Sequence, residues 1–360
     1  MKLTDREWKE FFIGGKEGIF DLRASYSGID KNKLLNGDSP VIPYITRSDI
    51  NNGVSLFVDE NQNHKYKIDY GNVITIGLDT QTVFYQSSLF YTGQNIQVLS
   101  NCYLNKYNAL FIVRLLKMQL KKFSWGGNGA TLGRLARTKI LLPSNNNFPD
   151  YLFMEDYIKE IMHRKRQEYI DYAKGKLEQN STEQIIPLHS KKWKEFFIED
   201  IFTVSAGKRL TKQKMEQGNI PFLGASVSNN GITNFISQKN CSYDRNVLGV
   251  NYNGSVGEAF YHSYGCVFSD DVKRFHLKNY TDNQNVLLFL SSIIAQQKEK
   301  YSYGYKFNET RMLRQYILLP VNNKDEPDFA YMEQYVNNIL MQKYNDYLEY
   351  AEKSQNIWNT

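Results

Sequence analysis

The hexapeptide WKEFFI stands at Trp8–Ile13 and again at Trp193–Ile198, 185 residues apart (193 − 8). Either the coincidence is empty or the chain is a tandem of two related halves, and self-similarity decides the fold before any local reading. Sliding the first half along the second settles it. Ile42-Pro43-Tyr44-Ile45 falls on Ile220-Pro221-Phe222-Leu223, and Asn52-Gly53-Val54 on Asn230-Gly231-Ile232. Further on, ILLP (140–143) answers ILLP (317–320), and PDYLFMEDYIKEI (149–161) answers PDFAYMEQYVNNI (327–339). The offset stays between 177 and 185, as small loop insertions would make it. The chain is a duplication.

The segment after each PD pair is the most regular. Met154, Ile158, Ile161, Tyr169 and Tyr172 recur as Met332, Val336, Ile339, Tyr347 and Tyr350, spacings that mark one apolar face of an α-helix. Lys165 and Lys343 interrupt the stripe at the same point. The spacing predicts helices from Tyr151 to about Leu177 and from Phe329 to about Lys353, each about 37 Å long. Asp150 and Asp328 are suitable N-caps. A long stripe is most simply buried against its other copy, with the lysines fixing the register of the seam. The alternative is that each helix packs on its own domain. Residues 175–192, polar, opened by Gly175 and containing Pro187, read as a linker. Before each helix lies a mixed globular portion with short β-like runs (70–78 and 245–252) and apolar helical stretches at 106–123 and 283–298. The expected organisation is therefore a globular domain over 1–150, a helix over 151–178, a linker over 179–192, a second domain over 193–327 and a second helix over 328–360.

Composition narrows the function. Length suits two cores rather than one. The longest apolar run, VLLFLSSIIA (286–295), is too short to span a bilayer, and the N-terminus has no apolar signal core, so a cytoplasmic protein with no membrane partner is expected. Three cysteines with no CxxC pair argue against disulfides or structural zinc. The net charge of +6 is modest, but residues 80–149 hold no acid at all while carrying Lys106, Arg114, Lys117, Lys121, Lys122, Arg134, Arg137 and Lys139. Such a stretch should form a patch attractive to a polyanion, the bland alternative being a solvated basic face.

Catalytic tools are missing. There is no phosphate-binding G-x-x-x-x-G-K-[ST] loop, no G-x-S-x-G elbow and no Asn/Asp-Pro-Pro-aromatic loop of the amino-methylating kind. The PD pairs lack the downstream Glu-x-Lys of a metal-dependent nuclease, so they read as helix starts. No metal site is expected. Binding chemistry is better represented. FSWGGNGATLGRLARTK (123–139) is a glycine-rich loop with Trp125, Asn128 and Thr131 running into Arg134, Arg137 and Lys139. Glycine admits a phosphate close to backbone, arginine can bind guanine bidentately and asparagine adenine. The second copy, YSYGYKFNETRMLRQY (301–316), places Arg311 and Arg314 where the first has Arg134 and Arg137, with Tyr303, Tyr305, Lys306 and Asn308 filling the loop. Repeated arginines in otherwise different loops suggest shared phosphate anchoring beside divergent base reading. The alternative is that these arginines pair with the domain's own carboxylates.

Taken in order, these motifs resemble the DNA-specificity subunit of Type I restriction–modification systems, and especially the shorter version serving Type IIB enzymes. The likeness covers nearly the whole chain. It implies an α+β fold of two tandem α/β target-recognition domains, each followed by a long helix. The two helices would pair antiparallel, as a short coiled coil with approximate two-fold symmetry. It implies that the chain recognises a bipartite, non-palindromic target in double-stranded DNA and is not itself an enzyme. Methyltransferase subunits would dock on the helices and bring S-adenosylmethionine, with Mg2+ and a nuclease function also belonging to partners. A stand-alone two-module DNA-binding regulator and a protein-binding scaffold are the competing readings. The helices are shorter than those common in Type I subunits, and GNGATLGR differs from NETRMLR, so the domain role carries over further than individual contacts.

Overall fold

The computed structural model describes residues 1–35, 37, 39–124, 128–301 and 307–358. The chain divides into two compact units, Met1–Tyr169 and Ile170–Thr360.

The first unit opens with β1 (Glu7–Phe12) and β2 (Asp21–Ala24), followed by β3 (Ile42–Ile45), β4 (Val54–Val58), β5 (Val73–Gly77), β6 (Val83–Gln86), β7 (Tyr91–Thr92) and β8 (Ile96–Ser100). Helices α1 (Lys106–Gln119) and α2 (Leu132–Ala136), strands β9 (Lys139–Asn145) and β10 (Phe148–Pro149), and the first part of the long α3 (Tyr151–Gln179) complete it; from Ile170 onward α3 belongs to the second unit. Its sheets run β1-β9-β10, β2-β8-β5-β6 and β4-β3-β7. Among the described residues only β3 with β7 is parallel, consistent with an α+β domain. All five residues of β5, VITIG, are buried, so this strand is covered on both faces. Ile74, Ile76, Leu99, Ile112, Leu116 and Leu142 are among the residues of the main core that α1 closes.

The second unit repeats the plan. It comprises β11 (Trp193–Phe197), α4 (Ile198–Ile201), β12 (Phe202–Ala206), β13 (Gln217–Leu223), β14 (Ile232–Ile236), β15 (Tyr243–Asp244), β16 (Val247–Asn251), β17 (Ala259–His262), β18 (Cys266–Phe268) and β19 (Val272–Leu277). Then come α5 (Gln284–Ala295), α6 (Glu309–Leu313), β20 (Tyr316–Pro320) and α7 (Phe329–Trp358). The sheets run β11-β20, β12-β19-β16-β17 and β14-β13-β18-β15, again with one parallel pair, β13 with β18. Fully buried β16, VLGVN, is the counterpart of β5.

The duplicated hexapeptide is the strand that closes each unit. Trp8 pairs with Pro143 and Phe11 with Ile140, while Trp193 pairs with Pro320 and Phe196 with Ile317. The two repeated motifs, WKEFFI and ILLP, are partners in one antiparallel ladder, in the same register in both units. The ladder then seats the long helix. Asp150 caps α3 by accepting from the Phe153 amide at 2.9 Å, and Asp328 caps α7 by accepting from the Tyr331 amide at 3.1 Å. A cap of this kind contributes about 1 kcal/mol. A cation two residues before each hexapeptide braces the cap: Arg6 Nε lies 2.8 Å from Asp150, and Lys191 Nζ 2.7 Å from Asp328. The turn between β3 and β4, and that between β13 and β14, is also copied. Asn51 and Asn52, like Asn229 and Asn230, take left-handed φ, and Gly53 at φ +80 has no room for a Cβ beyond 3.2 Å from the Thr46 carbonyl.

The long helices depart from the sequence expectation in three ways. Met154 and Met332, expected in a helix–helix seam, are fully buried in the core of their own unit, with Ile158 and Val336 packed beside them. The first turns of each helix thus belong to the globular part. Lys165 and Lys343 are not in a seam either. Their side chains are 66% and 72% exposed and pair with Glu168 and Asp346 on their own helices. Tyr169 and Ile339 are exposed, Ile161 and Tyr347 half-buried. Beyond the first turns, the buried positions among the described residues are Ile170 and Ala173 on α3, and Asn337, Met341, Ala351 and Ser354 on α7. Finally, α3 runs through Gly175 to Gln179, because this glycine keeps a right-handed backbone and nothing crowds it.

Within the second unit the end of α3 and the strap after it run antiparallel to α7. Tyr172 meets Tyr344 edge-on, ring centroids 5.9 Å apart. Asn337 Nδ2 donates to the Ser181 carbonyl at 2.9 Å, Asn338 Nδ2 to that of Glu183 at 2.8 Å, and Tyr331 Oη to that of Ile186 at 2.8 Å. From Tyr172 to Ile186 the partners on α7 run back from Tyr344 to Tyr331. Among the described residues no helix is long and apolar enough to cross a membrane.

Candidate nucleic-acid interface

The arginine helices are held in place by buried anchors. In the first unit the chain leaving α1 passes through a 3-10 turn, Leu120–Lys122, and reaches α2 after residues 128–131. The Ala130 amide donates to the Leu78 carbonyl at 2.8 Å, which fastens this approach to the β5–β6 turn. Gly129 lies so close that a Cβ there would stand 2.7 Å from the Leu78 side chain. Leu135, fully buried, pins the helix to the core. In the second unit Phe307 and Met312, both fully buried, do the same for α6, and Tyr301 packs on Phe307 with centroids 4.4 Å apart.

On these anchors Arg134 and Arg311 are half-buried and Arg137 and Arg314 exposed. Arg137 and Arg314 are the residues that end α2 and α6, with almost the same backbone angles (φ −90, ψ 0 and φ −89, ψ 7). An exposed guanidinium at a fixed helix end is positioned to meet an anion. Arg134 is differently employed: its Nη1 donates to the Gly129 carbonyl at 3.0 Å and stiffens the loop.

Several other expected contact residues have structural work. Asn308 is the N-cap of α6 and accepts from the Arg311 amide at 3.0 Å, so its side chain is turned to the helix rather than outward. Asn128 donates to the Lys122 carbonyl at 3.0 Å and closes its own loop. Lys139 lies 3.3 Å from Glu10 and over the Phe12 ring. The stretch 80–149 lacks acids in sequence, but pairing β9 with β1 brings one from outside it. Lys117 stacks its ammonium 4.5 Å above the Phe84 ring, a cation–π contact that leaves it half-buried. Lys121, Lys122 and Thr131 are exposed. Glu309, which stands near Arg311 in sequence, instead holds Lys273 at 2.6 Å. Trp125, Tyr303, Tyr305 and Lys306 lie outside the described residues.

Sequence reading passed over a second basic element in the second unit. The connection from β12 to β13 carries exposed Lys208, Arg209, Lys212 and Lys214 around a 3-10 turn, Lys212–Lys214. Arg209 and Lys212 line an open groove of about 540 Å³ whose other wall includes Thr233, Asn234, Asn253 and Asp271. The available signal was the run GKRLTKQK, which is basic but shares no motif with the arginine helices. Among the described residues no group of three or more His, Cys, Asp or Glu side chains could hold a metal.

Residues 5–170 and 190–350 each match the model of the Type I restriction modification DNA specificity domain. The chain is 44% identical over 312 residues to the specificity subunit S.BcgI of a Type II restriction enzyme from Heyndrickxia coagulans, covering 86% of this chain and 88% of that one. Among solved structures, the S subunit of a Type-I restriction-modification system from M. genitalium matches with a TM-score of 0.50 over 99% of this chain and 96% of that one. Its identity is 17%, so that likeness is one of fold. Two copies of the domain, each closed by its WKEFFI–ILLP ladder and long helix, place this chain in the Type I restriction–modification DNA-specificity family, as a specificity subunit of a restriction–modification system.

Proposed function

We propose that each unit reads one block of a bipartite, non-palindromic sequence in double-stranded DNA, and that the chain directs partner subunits to that site without catalysing their reaction. Methyltransferase subunits supply S-adenosylmethionine and the methyl transfer; where cleavage follows, a nuclease partner supplies it with Mg2+. The observation that carries the reading is the matched pair of exposed arginines, Arg137 and Arg314, ending equivalent helices on equivalent anchors in loops that otherwise differ. Shared cations suit the phosphates common to all DNA, and differing neighbours suit blocks that differ in base sequence. Lys121 and Lys122 extend the cationic surface in the first unit. The long helices, 29 and 30 residues, are about 44 Å each, somewhat more than one ~34–36 Å turn of DNA, and would hold the two blocks at a fixed separation.

The test is binding and site selection by the chain complexed with its methyltransferase. Arg137→Ala and Arg314→Ala should each lower the slope of log affinity against log salt by about 0.9, as loss of one phosphate contact requires. Selection should return two unlike blocks with an unspecified gap between them. An unchanged slope in both variants, or a single contiguous block, would overturn the reading.

A further inference from the structure

The two units carry the same hydrogen bond with its partners exchanged. Aligned through the fully buried strands β5 and β16, Asp79 in the first unit corresponds to Asn253 in the second. Aligned through β8 and β19, Asn95 corresponds to Asp271. The ladders confirm both alignments, since Gly77 pairs with Ile96 and Asn251 with Val272. In the first unit Asn95 Nδ2 donates to Asp79 Oδ2 at 3.2 Å. In the second, Asn253 Nδ2 donates to Asp271 Oδ1 at 2.7 Å. An amide–carboxylate bond spans the same corner in both units, but the amide and the acid have changed sides.

In both units this corner adjoins the arginine helix. Leu78, next to Asp79, accepts the Ala130 amide that leads into α2. Tyr252, next to Asn253, lies under the Lys273 ammonium at 5.1 Å, and Lys273 holds Glu309 in the first turn of α6. Around the corner the second unit's groove presents Lys212 and Arg209, the latter 3.9 Å from Asp270, whereas the first unit gives Asp79 itself a guanidinium partner, Arg47.

Building on the DNA-recognition reading above, we propose that this Asn–Asp corner reads base edges, and that its exchange is one reason the two units read different blocks. Asn253 spends one N–H on Asp271. It keeps a second N–H and its carbonyl oxygen, the donor–acceptor set that matches adenine N7 and N6. Asp271 keeps an oxygen able to accept from cytosine N4. In the first unit the free amide groups stand on the β7–β8 side and the carboxylate, shared with Arg47, on the β5–β6 side, so the order of donors and acceptors is reversed. Arg209 and Lys212, exposed on the groove wall, would hold the adjoining phosphates.

The test exchanges the partners while preserving their bond. Asn253→Asp combined with Asp271→Asn, and separately Asp79→Asn combined with Asn95→Asp, are made in the full chain co-expressed with its methyltransferase. Each complex then selects from duplexes with a randomised centre, and its thermal unfolding is followed alongside. Each exchange should change base preference at one position of one block by at least about fivefold and leave the other block unaltered; the melting temperature should hold in the second-unit exchange and fall only slightly in the first, where the exposed Arg47–Asp79 pair is lost. Wild-type preferences kept in both exchanged proteins would overturn the inference and leave the corner a structural clamp. Should a double exchange fail to fold, Asp271→Asn alone retains an amide–amide hydrogen bond, and an unaltered selection by that variant is equally fatal. A wild-type complex that selects no sequence at all would sink the DNA reading itself.

Discussion

The two units agree where they fold and differ where they face outward. Their scaffolds share the bonds that seat each long helix: the hexapeptide pairs with ILLP in one register, a basic residue braces the aspartate that caps the long helix, and a tryptophan Nε1 donates to the carbonyl five residues back, Trp8 to Leu3 and Trp193 to Leu188. The polar corners do not match. Asp69, fully buried in the first unit, takes Arg23 from β2 at 2.5 Å. Burial pushes its carboxyl up, with Arg23 opposing. In the second unit Asp244 takes Arg274 and His276, both from β19, at 3.0 Å each. The same need, a partner for a carboxylate beside a central strand, is met from different strands. Duplication has kept the backbone-defining contacts and left polar side chains free to be reassigned. A pair of modules that must read unlike blocks needs that division.

The largest expected effect tests whether the helix starts belong to the globular cores. Met154→Ala and Met332→Ala each remove a fully buried side chain, and a cavity of this kind costs about 2–5 kcal/mol. Each substitution should lower the unfolding free energy of its own unit by that amount, read as a lower denaturant midpoint, and leave the other transition in place. If both variants lowered both transitions equally, the methionines would be joining the units rather than filling each core.

Much of this was legible in the sequence, because repeated motifs and 3.6-residue spacing survive as patterns. WKEFFI and ILLP marked the strands that close each unit, and the PD caps located both long helices to within a few residues, whereas the division between the units falls inside α3 at Ile170 rather than in the expected linker. The phase of the buried stripe was not legible. Ile170, Ala173, Asn337 and Ala351 lie about 100° round the helix from the Tyr–Ile–Lys stripe, and small or amide side chains give little hydropathy signal. The tyrosines and isoleucine that drew attention are amphipathic or simply exposed, as Tyr350 and Ile339 are. Pairings distant in sequence escaped for another reason: nothing near Lys139 announces Glu10, and single residues in loops, such as Asp79 and Asn253, carry no periodicity.

A difference of intermediate size is pH-dependent and confined to the second unit. His276 Nδ1 lies 2.7 Å from Asp282 and Nε2 3.0 Å from Asp244. The hydrogen bond to Asp282, then that to Asp244, raises its pKa from 6.5 to about 9 against the opposing effect of burial. A folded-state pKa raised above the unfolded value stabilises fully below about pH 6.5, and that contribution disappears as pH rises through about 9. The imidazole is partly exposed, so solvent screening leaves about 1–2 kcal/mol. Denaturation should therefore find the second unit weaker at pH 9.5 than at pH 6, with no such change from the corresponding position in the first unit, Ser100. The His276→Asn variant should lose this pH dependence. A wild-type second unit equally stable at both values would show that the imidazole is not held charged.

The smallest expected effect is also the sharpest test of how the long helices are buried. If Lys165 and Lys343 sat in an apolar seam, replacing both with alanine would remove two desolvated charges and change stability by several kcal/mol, or free the register. On the surface, each instead gives up one exposed pair three residues along its own helix, Lys165 with Glu168 at 2.7 Å and Lys343 with Asp346 at 3.3 Å. Such pairs contribute about 0.3–0.5 kcal/mol, offset in part by the higher helix propensity of alanine. The double variant should thus unfold within about 0.5 kcal/mol of the parent. Met341→Ala, at a position only 3% exposed on the same helix as Lys343, should cost several times more. Finding the lysine variant the more damaging of the two would return the seam to the Tyr–Ile–Lys face, and with it the burial pattern described above would fall.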